Sequence, residues 1–264
     1  MLRAALCLIV TLAAGPALAG ATAWQEISPG VKARLISSDT IVDGNTLVGL
    51  ELDMPQTTNT YWRIPGESGI PTQFDFTGSS GITGPEVHWP FPQIVDTAGY
   101  RDYVYRGPVV FPIALKTDGG VLNTAITLGV CSDVCVPARA SFSLPIIAGK
   151  ADPAQSLRID QAEATTPIAW DRPGDPVASI SATADGLTVS GLDASVEPAT
   201  LIADLGDPAI LFETPQKSPE GSLWTLKLLG GAGGKKLEGR SVQLTFMTSN
   251  GPYTVSRQIG AASH

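Results

Sequence analysis

Val48-Gly49-Leu50-Glu51-Leu52-Asp53-Met54 alternates apolar and non-apolar residues over seven positions. Successive side chains of a β-strand point to opposite faces, so this pattern predicts a strand with one face in a core and the other toward water. The same period recurs outward from it. On the N-terminal side lies Val31-Lys32-Ala33-Arg34-Leu35, with Asp43-Gly44-Asn45 supplying a turn in between. On the C-terminal side come Tyr61-Trp62-Arg63-Ile64, Phe74-Asp75-Phe76, Tyr103-Val104-Tyr105, Val109-Val110-Phe111 and Ile126-Thr127-Leu128-Gly129-Val130. Phe142, Leu144 and Ile146 then alternate with Ser141, Ser143 and Pro145. No helical period separates these runs, and the chain carries 28 Gly and 21 Pro. Short strands joined by turns follow, an all-β design whose spacing over residues 24–150 predicts an immunoglobulin-like sandwich.

Residues 151–176 break the pattern. Asp152-Pro153 offers an N-cap acid with proline at the first helical position, so a short helix is predicted over 154–164. Thr165-Thr166-Pro167 and Asp171-Arg172-Pro173-Gly174-Asp175-Pro176 end it, and this stretch reads as a linker. Over 177–260 the β pattern resumes, with strands predicted at 187–189, 201–203, 210–212, 224–228, 242–246 and 253–255. Turns at Ala184-Asp185-Gly186 and Ser249-Asn250-Gly251 support a second, smaller β-sandwich.

The first 19 residues have the composition of an export signal: Arg3, an apolar run from Ala4 to Ala14, and the ending Ala17-Leu18-Ala19. The run is too short for a membrane span, which takes roughly 20 apolar residues. Cleavage after Ala19 is therefore expected, giving an exported, soluble protein. Loss of this segment removes Cys7 and Arg3, leaving 16 basic against 25 acidic residues and moving the formal charge from −8 to −9. Such a surface has no electrostatic footprint for nucleic acid and is repelled by anionic lipid. The absence of any later long apolar run predicts no direct membrane span.

Chemistry concentrates in Cys131-Ser132-Asp133-Val134-Cys135-Val136-Pro137, which holds the two remaining cysteines. Three readings are open: a redox-active pair, a structural disulfide, and a metal site. Closing so short a loop stabilises by only about 2 kcal/mol in the chain-entropy model, little for a staple. In an extended strand the two Cα atoms would lie roughly 13 Å apart. A disulfide needs them within about 7 Å, so the segment must turn if the bond forms. Turn-borne pairs of this kind are commonly reducible. Asp133 between the thiols disfavours thiolate, and Arg139 offsets it. Tyr61, Trp62, Phe74 and Phe76 are candidates for an aromatic wall around the thiols or for the sandwich core, the commoner fate of aromatic side chains. His88, the one internal histidine, could join Cys131 and Cys135 in a three-ligand copper or zinc site, but no fourth ligand is evident and no metal is expected. No phosphate loop, dinucleotide fingerprint or serine elbow occurs, so no cofactor is expected.

Three segments, Thr60-Tyr61-Trp62-Arg63-Ile64-Pro65-Gly66-Glu67-Ser68-Gly69-Ile70-Pro71, Val87-His88-Trp89-Pro90-Phe91-Pro92 and Val130-Cys131-Ser132-Asp133-Val134-Cys135-Val136-Pro137, occur in this order. Together they resemble the N-terminal periplasmic domain of the thiol:disulfide interchange protein DsbD and its ScsB-type relatives, over roughly residues 25–150. The resemblance implies an immunoglobulin-like fold in the periplasm. It makes Cys131 and Cys135 the dithiol that takes electrons from a membrane donor and hands them to thioredoxin-like or disulfide-bearing partners, as a protein-disulfide reductase does. Tyr61, Trp62, Phe76, Asp133 and Pro137 then become the expected surround of the thiols. ScsB-type relatives carry an additional β domain, which suits residues 177–260. The chain departs from the pattern in three ways. Full-pathway members continue into a polytopic membrane domain and a thioredoxin-like domain, absent from this sequence. No second cysteine pair is present to reload the first, so a separate membrane donor is expected. In better-known members the cysteines are spaced more widely, under an aromatic cap loop. The competing expectation is a non-catalytic periplasmic adaptor, copper-related, with a structural disulfide.

Overall fold

In the structure, a computed structural model, the 48–54 alternation lies in a nine-residue strand that buries Leu50 and Leu52 completely. The structure describes residues 20–97, 100–150, 152–207, 209–219, 221, 223–230 and 236–261. The predicted export signal, with Cys7, lies outside them. Among the described residues no helix is long and apolar enough to cross a membrane.

The first eleven strands are β1 (Gln25–Ser28), β2 (Val31–Ser37), β3 (Asn45–Asp53), β4 (Asn59–Gly66), β5 (Gln73–Asp75), β6 (Thr83–Val87), β7 (Gln93–Thr97), β8 (Tyr100–Arg106), β9 (Val109–Lys116), β10 (Gly120–Cys131) and β11 (Cys135–Ile146). They form one sheet in the order β1-β2-β3-β9-β6 and a second in the order β11-β10-β4-β8-β7, with β5 added on β10. Their inner faces close on one core that includes Leu35, Leu50, Trp62, Phe111 and Leu128. This is the immunoglobulin-like sandwich that the period-2 runs predict. At the predicted turn, Val42 and Asn45 exchange both backbone hydrogen bonds at 2.9 Å. Asp43 and Gly44 between them have φ of 50° and 74°. Positive φ at both central residues is the two-residue turn that matches strand twist, and Asp-Gly suits it. Strands β1, β6 and β7 carry no clear alternation. β6, Thr83-Gly84-Pro85-Glu86-Val87, contains both Gly and Pro and is tolerated because it is a sheet edge.

Helix α1 (Pro153–Glu163) follows, with the Asp152 carboxylate accepting from the Ala154 amide at 2.9 Å. Its Ile159 is fully buried against Ile36 and Ala21 on the outer face of the first sheet. Gly49 permits this approach, since a Cβ there would stand 2.8 Å from Val110 and 3.3 Å from Ile159.

The C-terminal strands are β12 (Ile168–Ala169), β13 (Val177–Ala182), β14 (Gly186–Leu192), β15 (Ile202–Asp204), β16 (Gln216–Lys217), β17 (Leu223–Lys227), β18 (Ser241–Thr248) and β19 (Gly251–Gln258). They make two four-stranded sheets, β12-β19-β18-β15 and β13-β14-β17-β16, around Val189, Leu226, Leu244 and Phe246. The strand expected at 210–212 does not form. The Asp207 carboxylate accepts from the Ala209 amide and its carbonyl from the Ile210 amide, making a local turn. Side-chain capping of this kind competes with a ladder. Ile210 and Phe212 are still buried, and Phe212 keeps a single bridge to Leu228.

Polar contacts tie the two halves and the helix together. The Arg63 guanidinium pairs with Asp204 and donates to Gln243 Oε1 at 2.7 Å. His88 Nδ1 lies 2.7 Å from the carboxylate of Glu163, the last residue of α1. That hydrogen bond is the main cause of a raised His88 pKa, partly opposed by burial and supported by the charges of Glu163 and Glu86. A raised folded-state value contributes stability in full below the ordinary value of 6.5 and loses it as pH rises through the raised one. Melting temperature should therefore fall more steeply above about pH 6.5 in the native chain than in Glu163→Gln. Parallel pH profiles would contradict this role.

Candidate functional site

Cys131 ends β10 and Cys135 begins β11, and the two strands stay in register over twelve residue pairs down to this one. Ser132, Asp133 and Val134 make the connecting loop, so the segment turns as a bond requires. The sulfurs are joined in a disulfide, with the Cα atoms 4.1 Å apart. That separation is close to the roughly 4.5 Å of directly opposed residues in a non-hydrogen-bonded antiparallel pair. Cross-strand pairing therefore brings the sulfurs together.

The two cysteines differ in exposure. Cys131 also pairs with Asn59 of β4, which places it within the sheet, and it is only 4% exposed. Cys135 stands on β11, the edge strand, and is exposed. Pro137, opposite Gly129, is exposed on the same edge, where a missing N–H is tolerated.

Tyr61 is the side chain that meets the bridge. Its hydroxyl lies 3.0 Å from Cys131 Sγ and 3.3 Å from Cys135 Sγ. A disulfide sulfur carries no proton, so the hydroxyl donates. The ring occupies a slot between two glycines. A Cβ on Gly69 would stand 2.3 Å from it, and one on Gly129 3.1 Å from it. Gly129 precedes Cys131 by two residues and so shares its face of the strand. Gly69 belongs to the 66–71 loop, which is fixed by the Ser68 amide and hydroxyl donating to Asp102 and by the Glu67 amide donating to the Arg101 carbonyl. Thr72 Oγ1 donates to the Tyr61 carbonyl at 2.7 Å. Val104 and Val95 complete the apolar cluster around Tyr61 and Cys131. The sequence predicts Val104 only as part of a strand and Val95 not at all; register is what brings them here, since Val104 is the β8 partner of Tyr61.

Of the other named residues, Trp62 and Phe76 face away from the bridge, while Asp133 sits in the loop that joins the two cysteines. Alternation along β4 turns Trp62 to the opposite face, where it packs edge-on to Tyr103 at 5.8 Å in the core. Phe76 stacks on Phe74 at 5.9 Å, and both pack against that same core. Asp133 is exposed at the loop tip. His88 is engaged by Glu163, and the described residues hold no group of three or more His, Cys, Asp or Glu side chains placed to hold a metal. The three-ligand site with the cysteines is thus not formed, because His88 sits on the far sheet, beyond β6, while the cysteines lie on the other.

The bridge closes five residues at the end of a hairpin that is paired over twelve positions. Breaking it with Cys131→Ser and Cys135→Ser together should cost no more than about 2 kcal/mol in urea unfolding. A loss above about 4 kcal/mol would mark it instead as a bond needed for folding.

Residues 30–146 match the family described as "Thiol:disulfide interchange protein DsbD, N-terminal". Among solved structures, the crystal structure of the N-terminal periplasmic domain of ScsB from Proteus mirabilis is similar in fold, with a TM-score of 0.71 and 23% identity. The match covers 93% of this chain and 100% of that one. No curated protein sequence matches significantly. The matched segment 30–146 contains the Cys131–Cys135 bridge, so the part of the chain that is similar to the DsbD N-terminal family is the part that carries the cysteine pair.

Proposed function

We propose that this chain is a periplasmic thiol:disulfide exchange protein that carries two electrons on Cys131 and Cys135 and reduces disulfides in partner proteins. The observation that carries this reading is the asymmetry of the bonded pair: an exposed Cys135 joined to a buried Cys131 beneath the Tyr61 hydroxyl.

Loading begins when a donor thiolate attacks the exposed Cys135 sulfur. A bond forms between the donor sulfur and Cys135 Sγ, the Cys131–Cys135 bond breaks, and its electron pair leaves on Cys131. Tyr61 O–H donates to the departing thiolate, which disperses charge where water has little access. A second donor thiol then attacks the mixed disulfide, leaving the donor oxidised and Cys131 and Cys135 reduced. Delivery is the same sequence reversed: the Cys135 thiolate opens the partner disulfide and Cys131 resolves the intermediate. Val134 and Val136 beside Cys135 are 70% and 42% exposed, an apolar rim for the docking protein. Thioredoxin-like proteins are the proposed partners, and a separate membrane protein the proposed electron source.

The test is to mix the dithiol form with an oxidised thioredoxin-like protein carrying a Cys-x-x-Cys pair and follow the thiols by alkylation. Stoichiometric transfer of two thiols, absent in the Cys131→Ser, Cys135→Ser double variant, is expected. Equal reduction by the double variant would overturn the reading.

A further inference from the structure

An open cleft of about 740 Å³ runs between the β6 edge of the first sandwich and the β12-β19-β18 side of the C-terminal sheets. This is within the range of ligand-binding sites. Three features of its lining bear on what would fill it.

The first is an aromatic wall. Phe74 lies 5.9 Å from Phe76 and 5.8 Å from Trp89, ring to ring, and all three line the cleft while only partly buried. The second is a pair of buried polar atoms in the lining, Trp62 Nε1 and Thr166 Oγ1, that find no hydrogen-bond partner among the described residues. An indole N–H can only donate, and a buried donor left unpaired is costly, so a ligand that fits must bring acceptors. The third is charge. Arg63 is neutralised by Asp204 and His88 by Glu163, but Glu86 at the rim is exposed and makes no ion pair among the described residues. The cleft therefore carries surplus negative charge on a protein of formal charge −8. In addition, β6 and β12 are each the last strand of their sheet, so two strand edges border the same space.

We propose that this cleft binds a short extended peptide segment of a partner protein, one that carries a lysine or arginine next to an apolar residue. The apolar side chain lies on the Phe74, Phe76 and Trp89 wall. Main-chain carbonyls accept from Trp62 Nε1 and Thr166 Oγ1, and the basic side chain meets Glu86. Extended peptides suit sheet edges because they offer a row of amide groups with alternate side chains to either side. The site is distinct from the disulfide: Trp62 and Tyr61 are neighbours on β4 but face opposite ways.

The test uses the purified full chain with acetyl-Gly-Leu-Lys-Leu-Gly-amide as probe and acetyl-Gly-Leu-Glu-Leu-Gly-amide as its charge-reversed control. Titration calorimetry is combined with the Trp indole N–H resonances, that of Trp62 being identified by Trp62→Phe. The lysine peptide is expected to bind saturably, with a Kd below about 1 mM, and to move the Trp62 resonance. The glutamate peptide should bind at least about fivefold more weakly, a difference that Glu86→Gln abolishes. Thr166→Val should weaken the lysine peptide about three- to tenfold. Absence of saturable binding, equal affinity for both peptides, or a stationary Trp62 resonance would each overturn the proposal. Indifference to both Glu86→Gln and Thr166→Val would do so as well, and neither of those variants touches the core.

Discussion

Cys135→Ser is expected to abolish covalent capture of a partner thiol, whereas Cys131→Ser is expected to trap the partner as a stable mixed disulfide. The asymmetry follows from position. Cys135 is exposed on the edge strand, and Cys131 is buried between β4 and β11 with Tyr61 over it. Disulfide exchange needs the attacking thiolate to approach the sulfur it opens, so an incoming group reaches Cys135 first. Without Cys131 this chain has no resolving thiol, so the intermediate persists when the partner also lacks its second cysteine, whose thiolate would otherwise attack back and expel Cys135. Capture by Cys135→Ser should fall by about three orders of magnitude or more, since no accessible nucleophilic sulfur is left. The check is non-reducing electrophoresis of each single variant incubated with a Cys-x-x-Ser thioredoxin-like protein whose one thiol is activated as a mixed disulfide with thionitrobenzoate, which departs as the free thiolate. Trapping by Cys135→Ser instead of Cys131→Ser would reverse the assigned roles.

Filling the slot around Tyr61 is expected to have the next largest effect. In Gly69→Ala the new methyl carbon would stand 2.3–2.5 Å from ring atoms of Tyr61 and 2.6 Å from Pro65, contacts that cannot persist. Either the 66–71 loop lifts or the ring leaves its place beside the sulfurs. Overpacking of this order costs about 1–3 kcal/mol in unfolding measurements. The control is Tyr61→Phe, which keeps the ring and removes only the hydroxyl. That hydroxyl lies 3.0 Å from Cys131 Sγ in the bonded form, and a hydrogen bond from it to the thiolate released on reduction would contribute about 1.5 kcal/mol or more. The pH midpoint for alkylation of Cys131 should therefore rise by about one unit in Tyr61→Phe. A purely structural tyrosine would leave the midpoint where it is, so an unchanged value would remove Tyr61 from the chemistry.

The β-rich fold was legible because its signals are local. Alternation at Val48–Met54 and the Asp43-Gly44 turn each act through a few neighbouring residues, and the Asp152-Pro153 pair sits at the first turn of α1. The strands that escaped notice, β1, β6 and β7 in the first sandwich and β12, β13 and β16 in the C-terminal sheets, lie at sheet ends, where pairing on one side relaxes the demand for alternation. At 210–212 the apolar residues are buried, but the Asp207 turn takes up the backbone amides that a ladder would need. Burial and strand pairing part company there, and a hydropathy pattern reports only burial.

The site divides along the same line. The cysteine pair was visible as a motif, and its need to turn followed from Cα geometry. Which aromatic residue attends it was not visible, because that depends on strand register. Tyr61 and Trp62 are adjacent, equally buried and similar in size, yet they face opposite ways. Only the pairing of Cys131 with Asn59, two residues from Tyr61, shows which of them shares the face of the sulfurs. The glycines at 69 and 129 look like ordinary strand and loop residues until the ring between them is placed.

The reduction potential of the Cys131–Cys135 pair tests the central claim most directly, by equilibrating the purified protein against glutathione and dithiothreitol buffers and quantifying free thiols. A pair that trades electrons with thioredoxin-like partners should equilibrate between about −120 and −270 mV. A value below about −300 mV, the range of structural bonds, would contradict the account.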